Sequence, residues 1–248
     1  MNRLMKAEVF RLRKNITFLL ICSVIFGLIP VIGSINYRDA DLATQVAGSA
    51  GLIIMSIMML FPPIFASITG NLYDQGKLGF YEIMAGNKTP AIVFSKIATD
   101  GALFLVLTVL SASAYYVIAG IRQGLGGFDH VLLRLLLVIL VLAHVAFCSI
   151  LITLCVRQVR AGAVACFMRF WIIDILFFPF LMWFAGTVME WKNLAMHFSY
   201  MSLTNQLMIV VSEPVDAKMI LHVVLGFAAE FAIWYFIIDL GIRKRKIA

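Results

Sequence analysis

NLYDQGKLGFYEIMAGNKTPAIVFSK, residues 71–96, is a polar stretch that separates two strongly apolar runs of the sequence. The apolar runs on either side cover residues 46–70 and 97–119, and each is long enough to cross a bilayer, which needs about 20 residues. The sequence therefore predicts a loop that leaves the membrane, forms a short helix and returns. Its charged residues are Asp74, Lys77, Glu82, Lys88 and Lys96.

The composition of the whole chain agrees with a membrane protein. Of 248 residues, 62% are hydrophobic and only 13% are charged, whereas soluble domains carry about 25% charged residues. Only helices and closed barrels satisfy their backbone hydrogen bonds in lipid, and the apolar runs lack the alternation of barrel strands. We therefore expect an all-α membrane protein with a single transmembrane domain over residues 1–248.

The apolar runs predict six transmembrane helices. Pro62 and Pro63 interrupt the second, and we expect them to kink it and to act as a hinge, because proline cannot continue the helical hydrogen-bond ladder. The six predicted spans cover residues 16–35, 46–70, 97–119, 131–156, 163–187 and 219–240.

Charge placement predicts the orientation of these spans. Basic residues are concentrated at both termini and in the polar stretch, which places both termini in the cytoplasm. Residues 1–15 alternate basic and apolar side chains and predict an amphipathic helix on the membrane surface, a plain basic flank being the alternative. The net charge of +7 follows this distribution. We therefore expect contact with membrane lipids and not with nucleic acid.

Residues 188–218, between the fifth and sixth spans, fit neither a span nor an ordinary loop. Their central part, 198–211, is too apolar for a solvated loop and too short to cross a bilayer. We expect an outer re-entrant hairpin, packed against the other helices so that its backbone is satisfied. A short seventh span is the alternative, but it would place the C-terminus outside the cell.

Ionisable residues inside the spans are the main candidates for function. Asp174 and Glu230 fall near the middle of the predicted fifth and sixth spans, and Arg169 lies about one and a half turns inside the fifth. Charges at these depths are costly and must face protein or water. They predict an interhelical ion pair such as Arg169–Glu230, a polar wall of a substrate path shared with His144, or a proton relay. Arg169 and Asp174 lie on different sides of an α-helix, so we expect no pairing between them.

Two other patterns are weaker. His144, Cys148 and Cys155 share one face of the fourth span, but with no other ligand in view they predict helix packing, and we expect no metal site. The sequence Gly86-Asn87-Lys88-Thr89 lacks the glycine that precedes the lysine of a phosphate-binding loop, so we expect no nucleotide site in this chain.

The loop motif is the most specific feature: Asp74, then Gly79-Phe80-Tyr81-Glu82, Gly86-Asn87, Pro90 and Phe94-Ser95-Lys96. Together with the basic N-terminal helix, the six spans and the outer hairpin, it resembles the membrane subunits of ABC-2 type ABC transporters. The resemblance covers essentially the whole chain.

That resemblance implies a non-catalytic permease that binds no cofactor itself. Residues 74–86 would form the coupling helix, seated on a separate cytoplasmic ATPase, and two such ATPases would carry ATP and Mg. A second permease, identical or related, would pair with this one, with spans two and five along the path. The implied contacts to the ATPase are Asp74, Lys77, Tyr81, Glu82 and Lys88.

The expected function is thus the permease subunit of an ATP-driven exporter of a hydrophobic or amphipathic molecule, such as an antimicrobial peptide or a drug. The short chain resembles the permeases of lantibiotic-immunity and peptide-export systems of Gram-positive bacteria, which implies a bacterial cell membrane. The alternatives are a proton-coupled secondary transporter that uses His144, Asp174 and Glu230, a membrane anchor or sensor, and an intramembrane enzyme.

Overall fold

The computed structural model confirms the all-helical class for the part of the chain that it describes. Three of its helices are long and apolar enough to cross a membrane: Leu136–Val156, Arg160–Val188 and Ala217–Leu240. They coincide with the predicted fourth, fifth and sixth spans. Most of the first predicted span, all of the second with Pro62 and Pro63, and part of the third lie outside the described residues, and these spans stay predictions. The described residues are 2–14, 20, 23–24, 27, 86–103, 105–106, 109–110, 131–156, 159–212 and 216–243.

Eight α-helices and three π-helices follow one another in the described residues. They are α1 (Asn2–Lys14), α2 (Thr89–Lys96), π1 (Ile97–Gly101), α3 (Val131–Val156), α4 (Val159–Phe167), π2 (Met168–Phe177), α5 (Phe178–Trp183), π3 (Phe184–Val188), α6 (Lys192–Met201), α7 (Leu203–Ser212) and α8 (Ala217–Arg243).

Helix α3 forms the centre of the described structure. Its sequence is apolar on all sides, as expected of a helix surrounded by protein, and Val141, Cys148 and Ile150 are fully buried. Helices α8, α4, α7 and π1 pack around it. Helix α8 differs, because it packs on α3 along one side and leaves residues such as Ile233 and Phe236 exposed.

Helix geometry changes three times along residues 159–188, because π2 separates α4 from α5 and π3 follows α5. In π2 and π3 each N–H bonds to the carbonyl five residues earlier. Residues five apart therefore lie closer to the same face than they would in an α-helix. This change decides the surroundings of Arg169 and Asp174, which both lie in π2.

The N-terminal helix predicted over residues 1–15 is present as α1, and it packs against α2 and π1. The helix that follows the polar stretch begins at Thr89 and not at 97, so the loop ends earlier than predicted. Pro90 is tolerated there because the first turn of a helix needs no N–H donor from it. Gly86, with φ of 80°, forms the turn before it.

Glycine allows π1 to approach α3 closely. A Cβ atom built on Gly101 would lie 2.5 Å from Cε1 of Phe147, closer than carbon atoms can approach. Gly101 is buried and Phe147 lies on the side of α3 that faces α8. The junction between the loop-proximal helices and the centre of the protein therefore depends on this one missing side chain.

Residues 188–218 hold two short helices, α6 and α7, separated by an extended residue at Ser202. Helix α6 packs against α5 and α8, and α7 packs against α3. A pair of helices between the two spans agrees with the expected hairpin. Its depth in the bilayer stays a prediction.

Candidate functional site

Four of the sequence-predicted residues come together where α3, π2 and α8 meet. His144 lies on α3, Arg169 and Asp174 on π2, and Glu230 on α8. Of the predicted ATPase contacts, Lys88 is exposed just before α2. The other four, Asp74, Lys77, Tyr81 and Glu82, lie outside the described residues.

A two-pronged ion pair joins π2 to α8. Arg169 donates from Nε to Oε1 of Glu230 at 2.7 Å and from Nη2 to Oε2 at 2.6 Å. Such paired contacts between a guanidinium and a carboxylate are among the strongest hydrogen bonds in proteins. These contacts are those of the interhelical ion pair, one of the three interpretations that the sequence offers, and the substrate path and the proton relay stay predictions.

Two further donors complete the surroundings of the Glu230 carboxylate. Nε2 of His144 lies 3.0 Å from Oε2, and Nε1 of Trp234 donates to Oε1 at 3.2 Å. Because a carboxylate oxygen can only accept, Nε2 of His144 carries the proton in this contact. Each oxygen of Glu230 thus accepts two hydrogen bonds, which fills the roughly four lone-pair positions of a carboxylate.

The prediction that Arg169 and Asp174 do not pair is wrong. Nη1 of Arg169 lies 3.5 Å from Oδ1 of Asp174. The prediction counted residues along an α-helix, but the segment is the π-helix π2, in which residues five apart approach the same face. The guanidinium therefore contacts one carboxylate on its own helix and another on α8.

Asp174 also caps a helix that lies 28 or more residues further along the chain. It is fully buried, and its side-chain oxygens accept the backbone N–H of Leu203 at 2.7 Å and of Thr204 at 2.9 Å. These are two of the four N–H groups that the start of a helix leaves without partners. The hydroxyls of Ser202 and Thr204 donate to the same carboxylate.

Sequence analysis missed this cap. The start of α7 has a recognisable signal, because Ser202 precedes an apolar helix and its hydroxyl accepts the N–H of Asn205 at 3.2 Å. Nothing in the local pattern indicates that a carboxylate from another helix would share the task. Asp174 thus acts first as a structural group that fixes α7 against π2.

A set of metal-ligand types is also present at this junction. Donor atoms of His144, Cys148 and Glu230 lie within 4.8 Å of one another, so Glu230 is the further ligand that the sequence did not reveal. The chemistry of the set opposes a cation, however. Both oxygens of Glu230 and Nε2 of His144 are already engaged, and a metal ion would have to displace the guanidinium of Arg169.

A cavity of about 560 Å³ adjoins the charged network. Its inner end is formed by His144, Arg169, Glu230 and Trp234. Most of the remaining wall is apolar, and the cavity opens at the surface along α8, where its wall residues are more than half exposed. These exposed residues are Leu221, Leu225 and Ile233.

The outer end of the cavity is more polar. Tyr200 of α6 stacks on His222 of α8 with ring centroids 4.4 Å apart, and Nδ1 of His222 donates to the carbonyl of Lys218. Gln206 of α7 reaches the same wall and donates to the Tyr200 carbonyl. The cavity is thus apolar in the middle and polar at both ends, the usual composition of a small-molecule site.

Comparison with protein-family models and with curated proteins found no match for this sequence. Its function is therefore inferred from the residues and from the geometry of this junction.

Proposed function

We propose that this chain is the permease subunit of an ATP-driven exporter of the ABC-2 type, and that it carries a hydrophobic or amphipathic molecule across a bacterial cell membrane. The observation that supports this most is the packing of the basic helix α1 on α2 and π1. This packing places α1 beside the helical segment that follows the predicted coupling loop. A force on the loop would therefore act on α1 and on that segment.

A continuous set of contacts runs from that segment to the cavity. Gly101 at the end of π1 touches Phe147 of α3. Phe147 in turn lies 5.7 Å, centroid to centroid, from Phe227 of α8, and Phe227 lies 5.3 Å from the ring of His144. Movement of the coupling loop would thus be transmitted through packed rings to the cavity wall.

In the proposed topology six spans place both termini in the cytoplasm, and α6 and α7 form the re-entrant hairpin. Asp174 supports the hairpin, because it lies halfway along the candidate span Arg160–Val188 and holds the first turn of α7. Helix α7 would then begin at mid-membrane. Two ATPases with ATP and Mg, and a second permease, complete the proposed assembly.

The experiment is affinity purification of the tagged chain in mild detergent, with identification of co-purifying proteins by mass spectrometry. We expect a soluble ATPase to co-purify, and to be lost with Glu82→Arg and weakened with Lys88→Glu. Lys192→Glu, a charge reversal at an exposed residue of the predicted outer side, is the matched control and should retain the ATPase. A folded chain that purifies without any ATPase would contradict the proposal.

A proton-coupled secondary transporter is the second candidate, because His144 and Glu230 touch in the wall of a cavity. It predicts uptake or efflux in proteoliposomes that is driven by a pH gradient alone and abolished by Glu230→Gln. The filled hydrogen-bond positions of Glu230 and Asp174 disfavour it, since a relay needs carboxylates that can release their partners. Transport without an ATPase would favour the proton-coupled transporter over the ATP-driven exporter.

A further inference from the structure

We propose that the cavity between α3, π2 and α8 binds an uncharged apolar molecule through one hydrogen-bond-accepting oxygen, such as a carbonyl oxygen, which Arg169 recognises. Calling this ligand the transported molecule rests on the proposed exporter function, whereas the binding itself does not. Three properties of the site support the chemical class: its charge, its unused donors and its apolar wall.

The charge of the site disfavours an anionic group. Arg169 supplies one positive charge, against the two carboxylates of Asp174 and Glu230 that it contacts. These three side chains carry one more negative than positive formal charge, which disfavours an anionic ligand.

The carboxylates of the site offer no free position to a cationic group. All lone-pair positions of Glu230 accept hydrogen bonds from Arg169, His144 and Trp234. Asp174 is fully buried and its oxygens are likewise engaged. An ammonium group in the cavity would thus find no free carboxylate position and would lie beside a guanidinium.

The donors of the site select an acceptor. A guanidinium has five N–H groups, and Arg169 uses Nε, one N–H of Nη2 and one of Nη1 in contacts with the carboxylates. Two N–H groups therefore remain without a partner among the described residues. The Arg169 side chain lines the cavity and is 11% exposed, so a carbonyl or ether oxygen can accept from it.

The middle of the cavity takes the apolar body of the ligand. Ile173 and Phe178 form the side towards π2 and α5, and Leu225 and Ile233 form the side towards α8. Gly226 also lies in this wall, where an added Cβ would meet only Nε2 of Gln206 at 3.5 Å, an ordinary contact. The site therefore accommodates a Cβ at 226, and a longer side chain there would extend into the cavity.

The test uses four probes that share a phenylalkyl body: 5-phenylpentan-2-one, pentylbenzene, 4-phenylbutanoate and 4-phenylbutylamine. Their binding to the purified full chain in lipid nanodiscs is measured by calorimetry, with empty nanodiscs to correct for partition into lipid. We expect the ketone to bind at least about tenfold more tightly than each of the others, since hydrogen bonds from charged groups contribute about that much. Tightest binding of the acid or the amine, equal binding of all four, or no binding overturns the proposal.

Three variants separate binding at the site from partition into lipid. Gly226→Leu should abolish saturable binding of the ketone, whereas Ala228→Leu, on the exposed side of the same helix, should leave it unchanged. The double variant Arg169→Met with Glu230→Met removes both members of the ion pair. In this variant the ketone should no longer bind more tightly than pentylbenzene. An unchanged preference in that variant would show that Arg169 does not recognise the oxygen.

The binding assay contains no ATPase, so its result does not depend on whether the proposed exporter function is right. Co-purification of an ATPase with no probe binding would leave the exporter and remove the ligand site. Probe binding with no co-purifying ATPase would leave the ligand site and remove the exporter.

Discussion

At the scale of single residues, two aspartates show how burial changes the stabilisation that a hydrogen bond at the start of a helix provides. Asp174 accepts two backbone N–H groups at the start of α7 from a position that is fully buried. Asp216 accepts the N–H of Met219 at the start of α8, but it is exposed. Water can replace the hydrogen bond of Asp216, but it has no access to those of Asp174.

We therefore expect Asp174→Asn to destabilise the protein by about 1–3 kcal/mol, the typical cost of leaving buried donors unsatisfied. Asp216→Asn should cost only a few tenths of that amount. Hydrogen exchange followed by mass spectrometry would show faster exchange at residues 203–204 in the first variant alone. Equal exchange in both variants would mean that Asp174 does not hold α7.

Hydropathy identified which residues matter here but not how they pair. Arg169, Asp174 and Glu230 are conspicuous in the sequence because charges inside apolar runs are costly. The partner of Asp174 at the start of α7 is 28 or more residues away, and Trp234 and His144 give no sign in the sequence that they donate to Glu230. Such contacts depend on how helices are placed, and periodicity within one helix does not carry that information.

At the scale of helices, the Arg169–Glu230 pair is the polar connection between π2 and α8. Arg169→Met alone leaves two buried carboxylates without their cation, and we expect a loss of about 3–5 kcal/mol. The double variant with Glu230→Met should recover much of this, because an apolar pair of similar size removes both charges. SDS titration of the purified protein measures the unfolding free energies, and equal stability of the single and double variants would contradict the expectation.

The contact between π1 and α3 gives a second prediction at this scale. Gly101→Ala would drive a methyl group into Phe147, so we expect it to destabilise the protein by about 1–3 kcal/mol, the usual cost of overpacking. Gly226→Ala is the matched control, since its Cβ meets only an ordinary contact, and it should change stability little. Unfolding midpoints measure both, and Phe147→Leu in the Gly101→Ala background should restore part of the loss.

Helix positions were predicted well where the apolar runs are long, and less well elsewhere. Helices α3 and α8 follow the predicted fourth and sixth spans closely. Residues 89–96, which the sequence assigns to the polar loop, are helical, and Lys96 at their end is buried within the structure. Composition alone does not distinguish a buried lysine from one at a membrane surface.

At the scale of the whole molecule, the described spans differ in how much protein surrounds them. Helix α3 is covered by its neighbours, whereas α8 exposes most of its apolar surface. A surface of this kind needs lipid or another subunit against it.

The six-span topology predicts which side of the membrane each exposed lysine reaches. Single cysteines at Lys88 and Lys192 test that topology, since both lysines are exposed. With a membrane-impermeant maleimide, we expect Lys192→Cys to be labelled in intact cells and Lys88→Cys only after the membrane is opened. Cys148 and Cys166 are fully buried and should not react. The unsubstituted chain, which carries these two thiols together with Cys22 and Cys155, is the control for labelling of the native cysteines. Labelling of both sites in intact cells would contradict the predicted orientation.

The π-helix that holds Arg169 and Asp174 also has a meaning in terms of chain length. A π turn contains one residue more than the α turn it replaces, so π2 amounts to a one-residue insertion in a spanning helix. Deleting Ile172 would leave Arg169 and Asp174 four residues apart, a spacing that keeps two side chains on one face of an ordinary α-helix. Five apart on an α-helix, they would lie about 140° from each other. The junction is therefore encoded by the number of residues between its charges as much as by their identity.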